Sequence, residues 1–326
     1  MSNIQRGRVV IYGGGVAGAV LAKLLCKDVK VTLVDPLDYF EVPMAAPRSL
    51  VDPDMVQQSI IAFSEALPQV EHIQAKLIEL TPEGGLIEQN GQYSTLHADV
   101  SVLATGSQYA NPLMRSTNGN ATERQAFYQR YHTRLSEAER ILIVGGGPIG
   151  VEVAAEIIQN YPSKLITLLD AGARLLRGTS EAAALHASQF LSSRGVNILL
   201  NQRLKNVNGL SEQVFGEAGV AQTDNGQSIP YDLLIWCGGG KANTSYMHQH
   251  YSHLLNVREQ IRVNAALRST IRISMRWVIS QTLMKIRWRG MSKVRSRLCM
   301  PISLHNSINA LYQQYINRRP VIQPWP

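Results

Sequence analysis

The sequence has no run of apolar residues approaching the roughly 18 that a membrane-crossing helix requires, so a spanning helix does not organise this chain. Cysteine is scarce. Cys26, Cys237 and Cys299 form neither a C-x-x-C pair nor a ladder of spaced bridges, which argues against a disulfide scaffold or a metal site and for a reducing, cytoplasmic setting. Met1 to Gly7 lead straight into an apolar run, so no secretory leader is expected. Ser2 stands where N-myristoylation needs glycine. Acidic residues are missing from positions 269–326, which hold ten of the 32 Lys and Arg. Setting those ten aside leaves 22 basic against 24 acidic residues in the body. The net charge of +8 therefore belongs to the tail, and no nucleic-acid partner is expected of the body.

What is present is glycine, in two clusters that resemble each other. Val9-Val10-Ile11-Tyr12-Gly13-Gly14-Gly15-Val16-Ala17-Gly18 and Ile141-Leu142-Ile143-Val144-Gly145-Gly146-Gly147-Pro148-Ile149-Gly150 each set G-x-G-x-x-G between an apolar, β-branched run and a helix-forming stretch. That context reads as a dinucleotide-binding turn. The first unit is a strand over Arg8 to Tyr12, a helix over Val16 to Leu25 and a strand from Lys30 ending in Asp35. The second is a strand over Arg140 to Val144, a helix over Pro148 to Tyr161 and a strand over Leu165 to Leu169 ending in Asp170. In such units the glycines permit the tight turn, the approach of a pyrophosphate and close helix–strand packing. The helix N-terminus offers free N–H groups to the phosphates. The acid accepts ribose hydroxyls, so Asp170 favours NADH; nearby Arg174 reads first as a solvated loop charge and otherwise as a partner for the 2′-phosphate of NADPH.

The repeat runs further. Asp99-Val100-Ser101-Val102-Leu103-Ala104-Thr105-Gly106 and Asp232-Leu233-Leu234-Ile235-Trp236-Cys237-Gly238 have the same form, an acid, an apolar run and a small-residue turn. Gly106 follows Gly13 by 93 positions and Gly238 follows Gly145 by 93, which predicts two copies of one fold, the second inserted in the first. Polar Pro112 to Glu139 is expected to be the crossing. A chain of 326 residues with 45% apolar content is long enough for two cores.

With these motifs the chain resembles the two-dinucleotide flavoprotein reductases, from about residue 7 to about 267. Within them it looks most like the apoptosis-inducing-factor-like NAD(P)H:quinone oxidoreductases, the group holding the ferroptosis suppressor and type II NADH dehydrogenases. Further matches are Tyr39-Phe40-Glu41-Val42-Pro43-Met44-Ala45-Ala46-Pro47-Arg48 and Gly150-Val151-Glu152-Val153-Ala154-Ala155-Glu156-Ile157. The resemblance implies an α/β fold of two Rossmann-like domains with the C-terminal interface domain missing or altered. Residues 1–115 would be the first part of the FAD domain, 116–250 the inserted NAD(P)H domain, 251–268 the return, and 269–326 a poorly ordered basic tail. It implies FAD at Gly13, Gly14, Gly15, Gly18, Asp35, Arg48, Thr105 and Gly106. NAD(P)H would lie at Gly145, Gly147, Pro148, Gly150 and Asp170, with Glu152 toward the nicotinamide as the catalytic candidate. Tyr39, Phe40 and Glu41 are read either as a loop near the flavin or as core. The disulfide reductases of this superfamily carry C-x-x-x-x-C where Pro43 to Arg48 stand here, and no cysteine is present. Electrons would then leave the flavin directly, toward a quinone-like acceptor.

The resemblance fails after Leu267. The family continues to a Gly-Asp whose aspartate binds the FAD ribityl chain, whereas this chain reads Met275-Arg276-Trp277-Val278-Ile279. A frame change accounts for that. Taking the last base of each codon with the first two of the next permits Ala, then Leu, forces Gly from Trp277 into Val278, and permits Asp from Val278 into Ile279. The chain as written is thus expected to hold FAD weakly. A ferredoxin- or rubredoxin-type reductase, a remnant without flavin, and a lipid- or nucleic-acid-binding basic arm are the alternatives. The resemblance also implies peripheral association with the inner face of a membrane.

Overall fold

The computed structural model describes residues 8–109, 111–113, 119–205, 209, 218–263 and 277–278. The basic tail, apart from Trp277 and Val278, and the segment between Val263 and Trp277 lie outside the described residues. The chain divides into two compact units: 1–36, 63–106 and 242–326 in one, 37–62 and 107–241 in the other.

The first unit is built on a five-stranded parallel sheet in the order Trp277–Val278, Val100–Leu103, Arg8–Tyr12, Lys30–Asp35, Glu71–Gln74. Its central strand reads as an unbroken apolar run because a parallel sheet is covered on both faces. Val10, Ile11 and Tyr12 are accordingly wholly buried. Helix Val16–Leu25 makes the crossover between Arg8–Tyr12 and Lys30–Asp35. An antiparallel meander, Lys76–Leu80, Gly85–Gln89 and Gln92–Leu96, precedes Asp99. Tyr246, Met247, Tyr251, Leu254 and Leu255 of the returning chain close the core formed by Val10, Tyr12, Val34, Leu80 and Leu103.

The second unit repeats the plan with four parallel strands, in the order Asn197–Leu199, Leu165–Leu169, Arg140–Val144, Leu233–Trp236. Here the antiparallel excursion before Asp232 is a hairpin, Gly219–Gln222 with Ser228–Tyr231. The two copies are anchored alike at the base of the sheet. Asp99 Oδ2 accepts the Arg8 N–H at 2.7 Å, and Asp232 Oδ2 accepts the Arg140 N–H at 2.7 Å. In the second copy the Arg140 guanidinium adds a 2.7 Å bond to Asp232 Oδ1. These bonds push the Asp232 carboxyl down to about 2, the Arg140 side chain being the largest cause. A depressed carboxylate stabilises the fold above its ordinary pKa and loses that contribution as pH falls through the folded value. Acid titration of unfolding should therefore show a small loss between about pH 4 and pH 2 in the native chain. Asp232→Asn should flatten that limb; an unchanged limb would place the acid sensitivity elsewhere.

The expected polar crossing, Pro112 to Glu139, contains a 17-residue helix, Ala121–Glu137. Asn120 caps it by accepting the Glu123 N–H at 3.0 Å. Its buried face is Arg124, Tyr128, Tyr131 and Leu135, spaced four, three and four apart as one side of a helix demands. Arg124 is 2% exposed. Its Nε lies 3.1 Å from both oxygens of Glu41, and Nη2 lies 2.9 Å from Oε1. The guanidinium also donates to the carbonyls of Pro112 and Leu113, and the Tyr128 hydroxyl donates to Glu41 Oε1 at 2.7 Å. Of the Tyr39–Phe40–Glu41 alternatives, core holds for two: Tyr39 is 1% exposed and Glu41 serves this buried ion pair.

Candidate nucleotide-binding turns

Each G-x-G-x-x-G forms a turn of the same backbone pattern. The first glycine takes a positive φ, +107° at Gly13 and +113° at Gly145, where a side chain is strained. A Cβ on Gly13 would lie 2.8 Å from Thr105 N, and one on Gly145 would lie 3.2 Å from Gly238 N. The amide of Gly13 donates to Val34 O at 2.7 Å, and that of Gly145 to Leu169 O at 2.8 Å. A Cβ on Gly18 would run into the Gly13 carbonyl oxygen, and one on Gly150 into that of Gly145. The third glycine is therefore what lets the helix lie against its own strand.

The acids sit as the sequence suggests, each gripping its turn. Asp35 Oδ2 accepts the Gly14 N–H at 2.5 Å; Asp170 Oδ2 accepts the Gly146 N–H at 2.7 Å. A carboxylate offers about four lone-pair sites, so these bonds leave capacity for ribose hydroxyls. Two apolar side chains that sequence reasoning missed close the turns. The Phe63 ring covers Gly14 and stacks with His72 at 4.7 Å, while Leu175 covers Gly146.

The helix starts are distinctive. Helices Pro53–Ser59, Ala121–Glu137 and Glu181–Ser192 are capped by the side chains of Asp52, Asn120 and Ser180 and carry an acid in the first turn. Helices Val16–Leu25 and Pro148–Asn160 begin at Gly15 and Gly147, with no capping side chain and no acid. Their first amides and positive dipole ends are left for an anion. Pro148 takes the first helical position, where its missing N–H costs nothing. Nothing lies within 4 Å of where a Gly147 Cβ would stand, so the backbone there is open to approach. Both turns thus fit a dinucleotide pyrophosphate.

One correction concerns the repeat. Strand register pairs Tyr12 with Leu103 and Val144 with Trp236, so Ala104 corresponds to Cys237 and Thr105 to Gly238. Gly106, at φ +70°, therefore matches Gly239, at φ +82°, not Gly238. The copies are offset by one residue, and the equal spacing of 93 paired neighbours rather than equivalents. Thr105 is tied into the first unit, its Oγ1 donating to Asn243 O at 2.8 Å and lying 2.9 Å from the Tyr246 hydroxyl. Arg48 belongs to the second unit and forms an ion pair with Glu156 at 3.1 Å. Glu152 is exposed, on the second turn of helix Pro148–Asn160. Burial pushes the Cys237 thiol up to about 12, which keeps it protonated. Among the described residues there is no metal-binding cluster, and no helix is long and apolar enough to cross a membrane.

Two copies of a parallel βαβ unit with glycine turns define a two-dinucleotide oxidoreductase fold. The family model for pyridine nucleotide-disulphide oxidoreductases matches residues 7–273, and the chain belongs to that family of NAD(P)H-dependent flavoproteins. It is similar to apoptosis-inducing factor homolog B of Dictyostelium discoideum, 28% identical over 80% of this chain and 70% of the relative. It is also similar to ferroptosis suppressor protein 1 of Homo sapiens, 30% identical over 79% of this chain and 69% of the relative. Among solved structures, an NAD-dependent persulfide reductase from A. fulgidus has TM-score 0.66 at 19% identity, covering 84% of this chain. NDH2 from Plasmodium falciparum has TM-score 0.61 at 17% identity, again covering 84%. Those two likenesses bear on the fold. The chain spans 52% and 63% of those two structures' lengths.

Proposed function

We propose that the chain carries reducing equivalents from NADH, through FAD, to a quinone-like acceptor. The observation that carries this reading is the pair of uncapped, acid-free helix starts at Gly15 and Gly147, each beside an acid in register, where the three other helices of seven residues or more among the described residues are side-chain capped. Two such turns suit two dinucleotides. FAD falls to the first unit, at Gly13, Gly14, Gly15, Gly18, Asp35, Thr105 and Gly106, and Arg48 is carried with them by resemblance alone. NADH falls to the second unit, at Gly145, Gly147, Pro148, Gly150 and Asp170, with Glu152 on the nicotinamide side.

When bound, FAD supplies acceptance of a hydride from NADH and return of the electrons to a second acceptor. The chain's own residues bind and orient. The turn amides hold the pyrophosphates, and Asp35 and Asp170 accept the ribose hydroxyls. Cys26 bonds weakly to Lys23 O and Gln69, and Cys237 stays a buried thiol, so neither is poised as a disulfide relay. That favours direct delivery to a small acceptor, and the sequence resemblance to NAD(P)H:quinone oxidoreductases makes a quinone the acceptor of choice. The setting proposed is cytoplasmic, peripheral to the inner face of a membrane.

The test is the visible spectrum of the purified chain with added FAD, since the sequence beyond Leu267 lacks the family's Gly-Asp and retention is expected to be weak. NADH should bleach the flavin band and a soluble quinone should restore it. Bleaching reversed by an iron–sulfur protein but not by quinone would select the ferredoxin- or rubredoxin-type alternative. A chain that binds ADP-ribose yet never takes up flavin would be the remnant.

A further inference from the structure

The chain that returns into the first unit carries a turn built on a strained residue. Glu259 takes φ +60°, in the left-handed region that a side chain disfavours. Local bonds shape the turn around it. Glu259 N–H donates to Asn256 O at 2.9 Å, and Asn256 N–H donates to Gln260 O at 2.9 Å. The Asn256 side-chain oxygen accepts the N–H groups of Arg258 and Gln260 at 2.8 and 3.0 Å. Two further contacts tie the strained residue back to the segment before it. Its carbonyl accepts the hydroxyl of buried Thr244 at 2.7 Å, and its Oε2 lies 2.5 Å from His248 Nε2. Thr244 adjoins Asn243, and Asn243 holds the edge of the first turn. Asn243 N–H donates to Gly106 O at 2.9 Å, while Asn243 O accepts Thr105 Oγ1. Thr105 itself lies against Gly13, the first glycine of that turn.

A continuous bonded path therefore runs from the Glu259 carboxylate at the surface to the first dinucleotide turn, wholly inside the first unit. Its outer end is a balance. The positive φ favours release of the turn, and the bonds to Thr244 and His248 favour closure. Both side chains of the His248–Glu259 pair are more than half exposed, so the pair is weak and readily exchanged. A ligand that needs the edge in place then binds in proportion to the closed fraction. The same short helix, His248–Tyr251, supplies a control. Its His250 pairs with Glu79 of strand Lys76–Leu80 at 2.9 Å and takes no part in the path.

We propose that Glu259 is a positioning residue for the FAD site: by closing its turn on His248 and Thr244 it holds Asn243, and through Asn243 the Thr105–Gly106 edge, in the arrangement that accepts the nucleotide. This rests on the assignment of FAD to the first unit, and the test separates the two. FAD affinity of the full-length chain is read by flavin fluorescence, with ADP-ribose calorimetry alongside to read the second turn. Glu259→Gly removes the carboxylate and relieves the strain at once, so a turn that mattered only for its shape would leave FAD bound as tightly as in the native chain, or more so. The expected result is the opposite, a weakening of about twofold to fivefold, the worth of an exposed ion pair. His248→Gln should weaken FAD by a similar factor and the double variant no further, whereas His250→Gln should leave FAD affinity unchanged. Thr244→Val should weaken FAD by about threefold to tenfold, the worth of a neutral hydrogen bond, and Thr244→Ser should keep native affinity. ADP-ribose affinity should not move in any of them. Undiminished FAD affinity in Glu259→Gly, additive losses in the double variant, an equal loss in His250→Gln, or equal weakening of ADP-ribose would overturn the role of Glu259 and leave the flavin assignment standing. A native chain that takes up no FAD would overturn that assignment, and the proposal with it.

Discussion

Replacing Arg124 with methionine should cost the fold about 3–5 kcal/mol, because it removes one partner of a buried pair and leaves the other charged. Glu41 is 11% exposed at its side chain, and its Nε and Nη2 bonds from Arg124 are replaced by nothing in the variant. The carbonyls of Pro112 and Leu113 lose donors at the same time. Stacking of the guanidinium on Phe127 and Tyr128, at 4.7 and 4.5 Å, goes with them. Glu41→Gln should cost less, since the amide oxygen still accepts from Tyr128 and Arg124. The double variant should be milder than the sum of the singles, because two residues in contact couple by roughly 0.5–3 kcal/mol. Urea midpoints at constant m-value measure all three. A methionine variant within about 1 kcal/mol of native stability would show the pair to be solvated after all.

The second large effect lies in the second and third motif glycines of the second copy, Gly147 and Gly150, which should fail in opposite ways. Gly150→Ala puts a methyl into the Gly145 carbonyl oxygen and 3.4 Å from the Cys237 Cβ. The helix must lift off its strand, at about 1–3 kcal/mol for overpacking or more, since the obstacle is backbone. Gly147→Ala meets open space at φ −74°, a conformation any residue adopts. It should keep stability within about 1 kcal/mol, the scale of N-cap preferences. Yet its methyl stands where the pyrophosphate is to approach, so ADP-ribose affinity should fall by about tenfold or more, the worth of one or two phosphate hydrogen bonds. Thermal unfolding and calorimetry read the two separately. Undiminished nucleotide affinity in Gly147→Ala would move the phosphates away from this turn.

The strand–turn–helix units, their acids and the internal duplication were legible because each is local, fixed by chain spacing and by the side-chain demands of a parallel sheet. Strand Arg8–Tyr12 and helix Val16–Leu25 fall where the residues indicate. Helix Ala121–Glu137 was not legible as a packed element because its buried face carries arginine and tyrosine where aliphatics are looked for. Phe63 and Leu175 reach Gly14 and Gly146 from far along the chain, with no periodic pattern to announce them. Arg174 and Arg177 look alike in sequence; only the structure shows Arg174 bracing its loop through the carbonyls of Arg177 and Thr179, and Arg177 exposed beside Asp170. The one-residue offset between copies was hidden because a glycine stands at both 238 and 239.

The division of the chain has an evolutionary consequence. Leu37, Tyr39, Leu50, Val51, Val56 and Ile60 lie in the same core as Ile141, Ile143 and Ile235, and Glu41 neutralises Arg124. The second copy therefore cannot be traded between genes as one continuous cassette. A recombination that exchanged only 107–241 would leave 37–62 behind in the recipient, together with a large share of the donor module's interior and the counter-ion of its buried arginine. Exchange must carry two separated stretches at once, so the two copies are constrained to diverge together as a single inherited block.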